Sequence, residues 1–135
     1  MNMRHLFFIA LAGFVFAAYG QLSVAVSDVK LSGQKAVVPL QLENHLPSAI
    51  ESARAAVFIL DDQGKMLGQS TRWVIGGSRE TKGLAAGGTN LYHFVVPLQK
   101  AVSTTNIIAK VTFTRVVLEG GKLADISKDL QIQNR

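Results

Sequence analysis

The stretch Ala53 to Ile75, ARAAVFILDDQGKMLGQSTRWVI, decides the fold. Two runs rich in β-branched, aliphatic and aromatic residues flank Asp61-Asp62-Gln63-Gly64. The first, Ala53 to Asp61, is apolar in both phases, with Ala56, Phe58 and Leu60 on one face and Ala55, Val57 and Ile59 on the other. A strand apolar on both sides belongs in the middle of a sheet. The second, Lys65 to Ile75, sets Leu67, Trp73 and Ile75 on one side, a phase that places Trp73 in the core. Between them Asp62 and Gly64 read as a structural turn. An Asp carboxylate accepts from backbone N–H groups two residues on, and Gly supplies the positive φ that closes a hairpin. A calcium loop would need further oxygen ligands at alternate positions, ending in a bidentate acid. Here Gln63, Lys65 and Met66 fill the next places, and no acid follows until Glu80.

Period-2 patterning continues in both directions from this hairpin, and helical periodicity is poor throughout. Upstream, Leu22 to Leu31 alternates with a slip at Ser27-Asp28 that suggests a bulge or a change of sheet, and Lys35 to Glu43 points Val38, Leu40 and Leu42 inward. Pro39 cannot donate a ladder hydrogen bond, so this strand is expected to lie at an edge or to have a break there. Downstream, a loop of residues 76–88 holds five glycines. Then come Thr89 to Leu98, with Tyr92, Phe94 and Val96 on one face and Leu91, His93 and Val95 on the other; Asn106 to Leu118; and, after a Gly120-Gly121 turn, Leu123 to Ile132. The pattern predicts an all-β, seven-stranded antiparallel sandwich of immunoglobulin-like type, with a small barrel as runner-up.

The sandwich occupies residues 21–135 of the 135, and residues 1–20 read as a signal peptide. Arg4 precedes the uncharged apolar run Leu6 to Ala18, and Ala18-Tyr19-Gly20 makes a small-x-small exit. The run is short of the roughly 20 apolar residues that a membrane span needs. With no cysteine anywhere, a lipoprotein anchor is excluded and the domain relies on packing alone, as suits a bacterial envelope or secreted protein. Loss of Arg4 on cleavage leaves 13 basic side chains against 9 acidic, a net charge of +4 spread without a basic cluster. That charge does not point to nucleic acid. The expected location is periplasmic or extracellular, with no membrane contact after cleavage.

Phe58-Ile59-Leu60-Asp61-Asp62 resembles the F-x-L-Y-D motif of the FxLYD domains, small exported bacterial β-sandwiches. Phe58, Leu60 and Asp62 match; Asp61 stands where the motif has Tyr. Gly64-Lys65 resembles the family's D-x-G-x hairpin, and Leu84 to Thr89 followed by Phe94 resembles its L-x-P-G-x-x lead-in, with Ala86 in place of Pro. The resemblance covers about Val37 to Val96. It implies a sandwich without known catalysis and transfers no functional residues.

Residues that carry chemistry are sparse. Nucleophilic catalysis needs a nucleophile beside an oriented base. There is no Cys, no G-x-S-x-G elbow, and His45 and His93 stand 48 positions apart, which also makes a weak metal site. Asp61 and Asp62 point to opposite faces if the strand persists, unlike a pair of acids sharing a cleft. No catalytic, cofactor-binding or metal-ligating residue is assigned. With Phe58 and Phe94 taken as core, Val57, Ile59, Leu91, His93 and Val95 form an outward apolar face, the candidate partner face for another protein or a second copy. The expected function is a non-catalytic exported binding or structural module making protein–protein contacts, with strand edges as a second docking route. Two other readings stand beside it: a carbohydrate-binding module using Trp73 and Tyr92, and a small secreted hydrolase using His93 or His45.

Overall fold

The structure, a computed structural model, describes residues 20–77, 82–102 and 106–134, so the apolar run of the expected signal peptide lies outside the described residues. The described chain forms β1 (Leu22–Val26), β2 (Lys30–Ser32), β3 (Lys35–Asn44), β4 (Ile50–Asp61), β5 (Met66–Ile75), β6 (Thr89–Pro97), β7 (Ile107–Leu118), β8 (Lys122–Leu123), a one-turn helix α1 (Ile126–Asp129) and β9 (Leu130–Asn134). They make two sheets. In the first, β3 pairs with β6 on one side and with β1 and β2 on the other, and β9 pairs with β1. The second has the order β5-β4-β7-β8. Leu22, Val24, Val38, Leu40, Leu42, Phe94 and Val96 of the first sheet meet Ala53, Ala55, Val57, Ile59, Val111 and Phe113 of the second in one buried cluster. The protein is an all-β two-sheet sandwich.

One break in the pattern has its cause at Pro39, whose own strand is, contrary to expectation, neither at an edge nor broken. The first expected strand splits into β1 and β2 around residues 27–29, both alongside β3. Ser27 N–H donates to the Pro39 carbonyl at 3.1 Å. A strand residue presents N–H and C=O to the same side, so the nitrogen of Pro39, which has no hydrogen, faces this gap. β3 is thus a central strand, and its proline is tolerated because the neighbour is interrupted beside it.

The last expected strand also divides. Asp125 Oδ1 accepts from Ser127 N–H at 3.1 Å and Ser127 Oγ at 2.7 Å, capping α1 between β8 in the second sheet and β9 in the first. β9 then runs parallel to β1, from Leu22 opposite Leu130 to Val26 opposite Asn134. The expectation of seven all-antiparallel strands is corrected to nine, one pair of them parallel.

The phase of β4 is the opposite of the expected one. Val57 and Ile59 have no exposed surface, whereas Phe58 and Leu60 are half-buried on the outer face. Because β4 is apolar on both faces, its own alternation does not choose between them. Its partner β7 does. Residues directly opposite in an antiparallel pair share a face, and β7 buries Ala109, Val111 and Phe113 while exposing Ile108, Lys110 and Thr112. Ile59 sits opposite Ala109, Val57 opposite Val111, and Phe58 opposite Lys110. A solvated lysine opposite Phe58 fixes that row on the outside. Truncation of Ile59 to Ala should cost about 2–5 kcal/mol in urea unfolding, whereas Ile108→Lys, at a residue 56% exposed, should change stability by less than about 0.5 kcal/mol.

Asn44, at the end of β3, is the one fully buried polar residue among those described. Its Nδ2 donates to the carbonyls of Ser48, Leu84 and Ala85 at 3.0–3.2 Å, and its Oδ1 accepts from Leu46 N–H at 3.0 Å. Its backbone donates to Gly88 O and accepts from Gly87 N–H. Asn44→Leu takes their partner from the buried Leu46 N–H and the part-buried Ser48 carbonyl and should cost about 2 kcal/mol or more. Asn44→Asp turns a carboxylate toward three carbonyl oxygens, which raises its folded pKa above the unfolded value. Its stability deficit should therefore be smallest below the unfolded pKa and widen as pH rises through the folded one, which urea titrations at pH 4 and pH 7 would read.

Candidate functional site

Two surfaces have a composition suited to recognition. The first is the outer face of the β5-β4-β7 sheet. Register sets Met66, Leu60 and Ile108 in one row and Gln69, Phe58 and Lys110 in the next. Met66 is 43% and Ile108 56% exposed, so the first row forms an apolar strip across three strands, widened at its centre by Phe58, which Gln69 and Lys110 flank. Farther along, Arg54 sits opposite both Trp73 and Arg115. Two arginines face to face across a strand pair repel. Arg54 instead lies over the Trp73 ring, 6.0 Å from its centroid, where the ring's negative face accepts the cation.

Trp73 reaches this face through a bulge. Ile75 pairs with Ala53 and Trp73 with Arg54, leaving Val74 as the extra residue. Val74 and Ile75 are both buried, and Trp73 is turned outward to 43% exposure. The core position expected for Trp73 is corrected accordingly, since a bulge reverses the phase on its far side.

The second surface is a groove between β5, the edge of one sheet, and β6, the edge of the other. The two edges close tightly at one end: a Cβ on Gly68 would lie 2.5 Å from the Pro97 carbonyl, and Gln99 N–H donates to Leu67 O at 3.1 Å. At the other end they leave a recess of about 240 Å³ lined by Arg72, Trp73, Tyr92, His93 and the strand segments beside them. Arg72 is exposed; its Nε donates to Ser70 Oγ at 3.0 Å, and no carboxylate among the described residues pairs with it. Tyr92 is half-buried beside the core, and burial holds its hydroxyl above the ordinary tyrosine range against an opposing hydrogen bond with Asn90.

The candidate partner face does not survive as one surface. Leu91, His93 and Val95 do point outward from β6, with Leu91 51% exposed, but Val57 and Ile59 lie in the core of the other sheet. The strip that the structure shows instead was signalled by the alternation of Lys110 and Thr112 in β7. Trp73 and Tyr92, proposed together as a glycan platform, do line one groove, together with Arg72 and His93. His45 is remote from that groove; its Nε2 lies 3.8 Å from Glu43 Oε2. Among the described residues no group of three His, Cys, Asp or Glu side chains could hold a metal ion.

No family model matches the chain, and a search of curated proteins finds no match. The fold is similar to that of IrmA from Escherichia coli. That solved structure aligns with a TM-score of 0.53 at 14% identity, over 84% of this chain and 91% of the other. Identity this low carries the fold and nothing of the site.

At the β4–β5 turn, Asp62 and Gly64 lie where the sequence places them, and Gly64 has φ +81°. The carboxylate that organises the turn is Asp61, whose Oδ1 accepts from Gln63 N–H at 2.9 Å and Lys65 N–H at 2.8 Å. An acceptor two residues before its donor is the geometry expected of a turn aspartate, displaced by one position. Asp61→Ala should cost about 1 kcal/mol in thermal unfolding, and Asp62→Ala should be close to neutral.

Proposed function

We propose that the chain is an exported, non-catalytic β-sandwich of immunoglobulin-like type, akin to the FxLYD domains, that binds another protein in the cell envelope or outside the cell. One observation carries this reading: the apolar strip of Phe58, Leu60, Met66 and Ile108 on the outer face of the second sheet. The strip runs to β7, whose outer edge pairs with β8 only at Val117 and Leu118 among the described strands. An extended partner segment could pair with this edge and cover the strip in one step. The cations of the same face, Arg54, Lys110 and Arg115, disfavour packing two copies face to face and favour a partner with acidic side chains.

A second reading, glycan binding, is supported by the shared groove of Trp73 and Tyr92. A hydrolase has less support, since His93 points outward from β6, no carboxylate is among the described residues lining the groove, and His45 lies elsewhere.

The test compares envelope proteins crosslinked to the wild-type chain with those crosslinked to Ile108→Asp, after light scattering shows both to be monomers. The expected outcome is a partner lost in the variant, with its crosslinks mapping to β7. Identical capture by the two proteins would remove the strip as the binding surface.

A further inference from the structure

We infer that the groove between β5 and β6 is a site for an acidic saccharide, one whose sugar ring carries a carboxylate or sulfate. The inference rests on the glycan reading above and gives it a ligand class. Three observations converge. The recess is bordered by two aromatic side chains from different sheets, Trp73 on an edge turned outward by the bulge and Tyr92 at the margin of the core. Sugar rings present C–H faces that pack on such side chains, while the polar tip of Tyr92 meets hydroxyl groups.

Second, the charge in the groove has one sign. Arg72 lines the recess, and among the described residues no Asp or Glu does; Arg54, over the Trp73 ring on the outer face of the sheet, adds positive charge nearby. Neutral sugars are commonly held by side chains that both donate and accept; this wall supplies chiefly donors. A guanidinium without a carboxylate partner offers a planar fork that fits a carboxylate or sulfate with two parallel hydrogen bonds.

Third, Arg72 owes its position to the fold. It precedes the bulge and sits in the phase of β5 that faces the other sheet, with Ala55 opposite. A charge in that phase would be buried in a central strand. On this edge it is exposed in the opening between the sheets. The recess is smaller than pockets of roughly 300–1,000 Å³ that enclose drug-sized ligands. A chain laid along the groove with one charged ring seated beside Arg72 therefore fits better than an engulfed small molecule.

Trp73 is the only tryptophan in the sequence, so intrinsic fluorescence reports this groove directly. The purified protein would be titrated with oligogalacturonate, with a neutral cello-oligosaccharide of equal length, and with oligoglutamate. The expected result is a saturable change in Trp73 emission with oligogalacturonate, at least about tenfold weaker binding of the other two, and weakening as salt is raised. Arg72→Gln should lower oligogalacturonate affinity about tenfold or more, while Lys128→Gln, on α1 and outside the groove, should leave it unchanged. Equal binding of acidic and neutral sugars would overturn the inference and leave the glycan reading standing. Binding of neither would overturn both. Equal binding of oligoglutamate would show charge alone at work and overturn the saccharide assignment. Undiminished binding by folded Arg72→Gln, or by Arg72→Ala with unchanged circular dichroism, would remove Arg72 as the anion partner.

Discussion

The hydrogen bonds of Asn44 tie two of the connections between the sheets to each other. The chain passes between sheets at the β3–β4 connection and returns at the β5–β6 connection. Both connections bring buried backbone groups that need partners. The Asn44 amide serves Leu46 and Ser48 in the first connection and Leu84 and Ala85 in the second, while its backbone pairs with Gly87 and Gly88. Leu84 in turn exchanges two backbone hydrogen bonds with Ile50 at the start of β4. One amide side chain, with two donor hydrogens and an acceptor oxygen, thus ties together two of the connections that join the sheets. No apolar residue of the same volume could do so: the Leu46 N–H and the Ser48 carbonyl would lose this partner, and the Leu84 and Ala85 carbonyls would keep only the Ile50 and Gly88 N–H groups.

The constraint explains where the surface sites lie. With the crossovers pinned, β5 and β6 become facing edges of different sheets. They touch at Gly68 and Pro97 and part at the opposite end, where residues 72–74 lie across the groove from residues 92–95. The groove is therefore a product of sheet closure, and its lining is drawn from two strands that never pair. β7 has a different history. It pairs along its length with β4, but its next neighbour β8 covers two residues before α1 carries the chain across to β9. The short β8 is what leaves the edge of β7 open beside the apolar strip.

Much of the fold was legible in the sequence because clear period-2 alternation in β3, β6 and β7, together with glycine-rich turns, locates strands without reference to partners. The positions of most expected strands match those observed to within a few residues. The slip at Ser27-Asp28 marked the interruption of the first strand, but Pro39 pointed to an edge or a break in its own strand, and β3 is central and continuous. Three features were not legible, and each depends on pairing across strands. The phase of β4 is set by Lys110 on β7, not by β4 itself. The exposure of Trp73 is set by a bulge opposite Ala53 and Arg54. The tie at Asn44 is invisible because its partners at Leu84 and Ala85 are some forty positions away. Local pattern shows which residues extend; only the partner shows which way they face.

Trp73 stands where the two surfaces meet. Its edge borders the groove, and its ring carries the Arg54 cation on the outer face of the sheet. Arg54 is held from Arg115 by that ring, so any group that seats against Trp73 from the groove also alters the electrostatic setting of the strip beyond it. An anion in the groove would offset part of the positive charge that makes the outer face attractive to an acidic partner. The cost of bringing the two arginines together in register would fall at the same time. The two proposed surfaces would thus be opposed in sign of effect: an anion in the groove would weaken the electrostatic part of any recognition at the face and leave its apolar part, on Phe58, Leu60, Met66 and Ile108, unchanged.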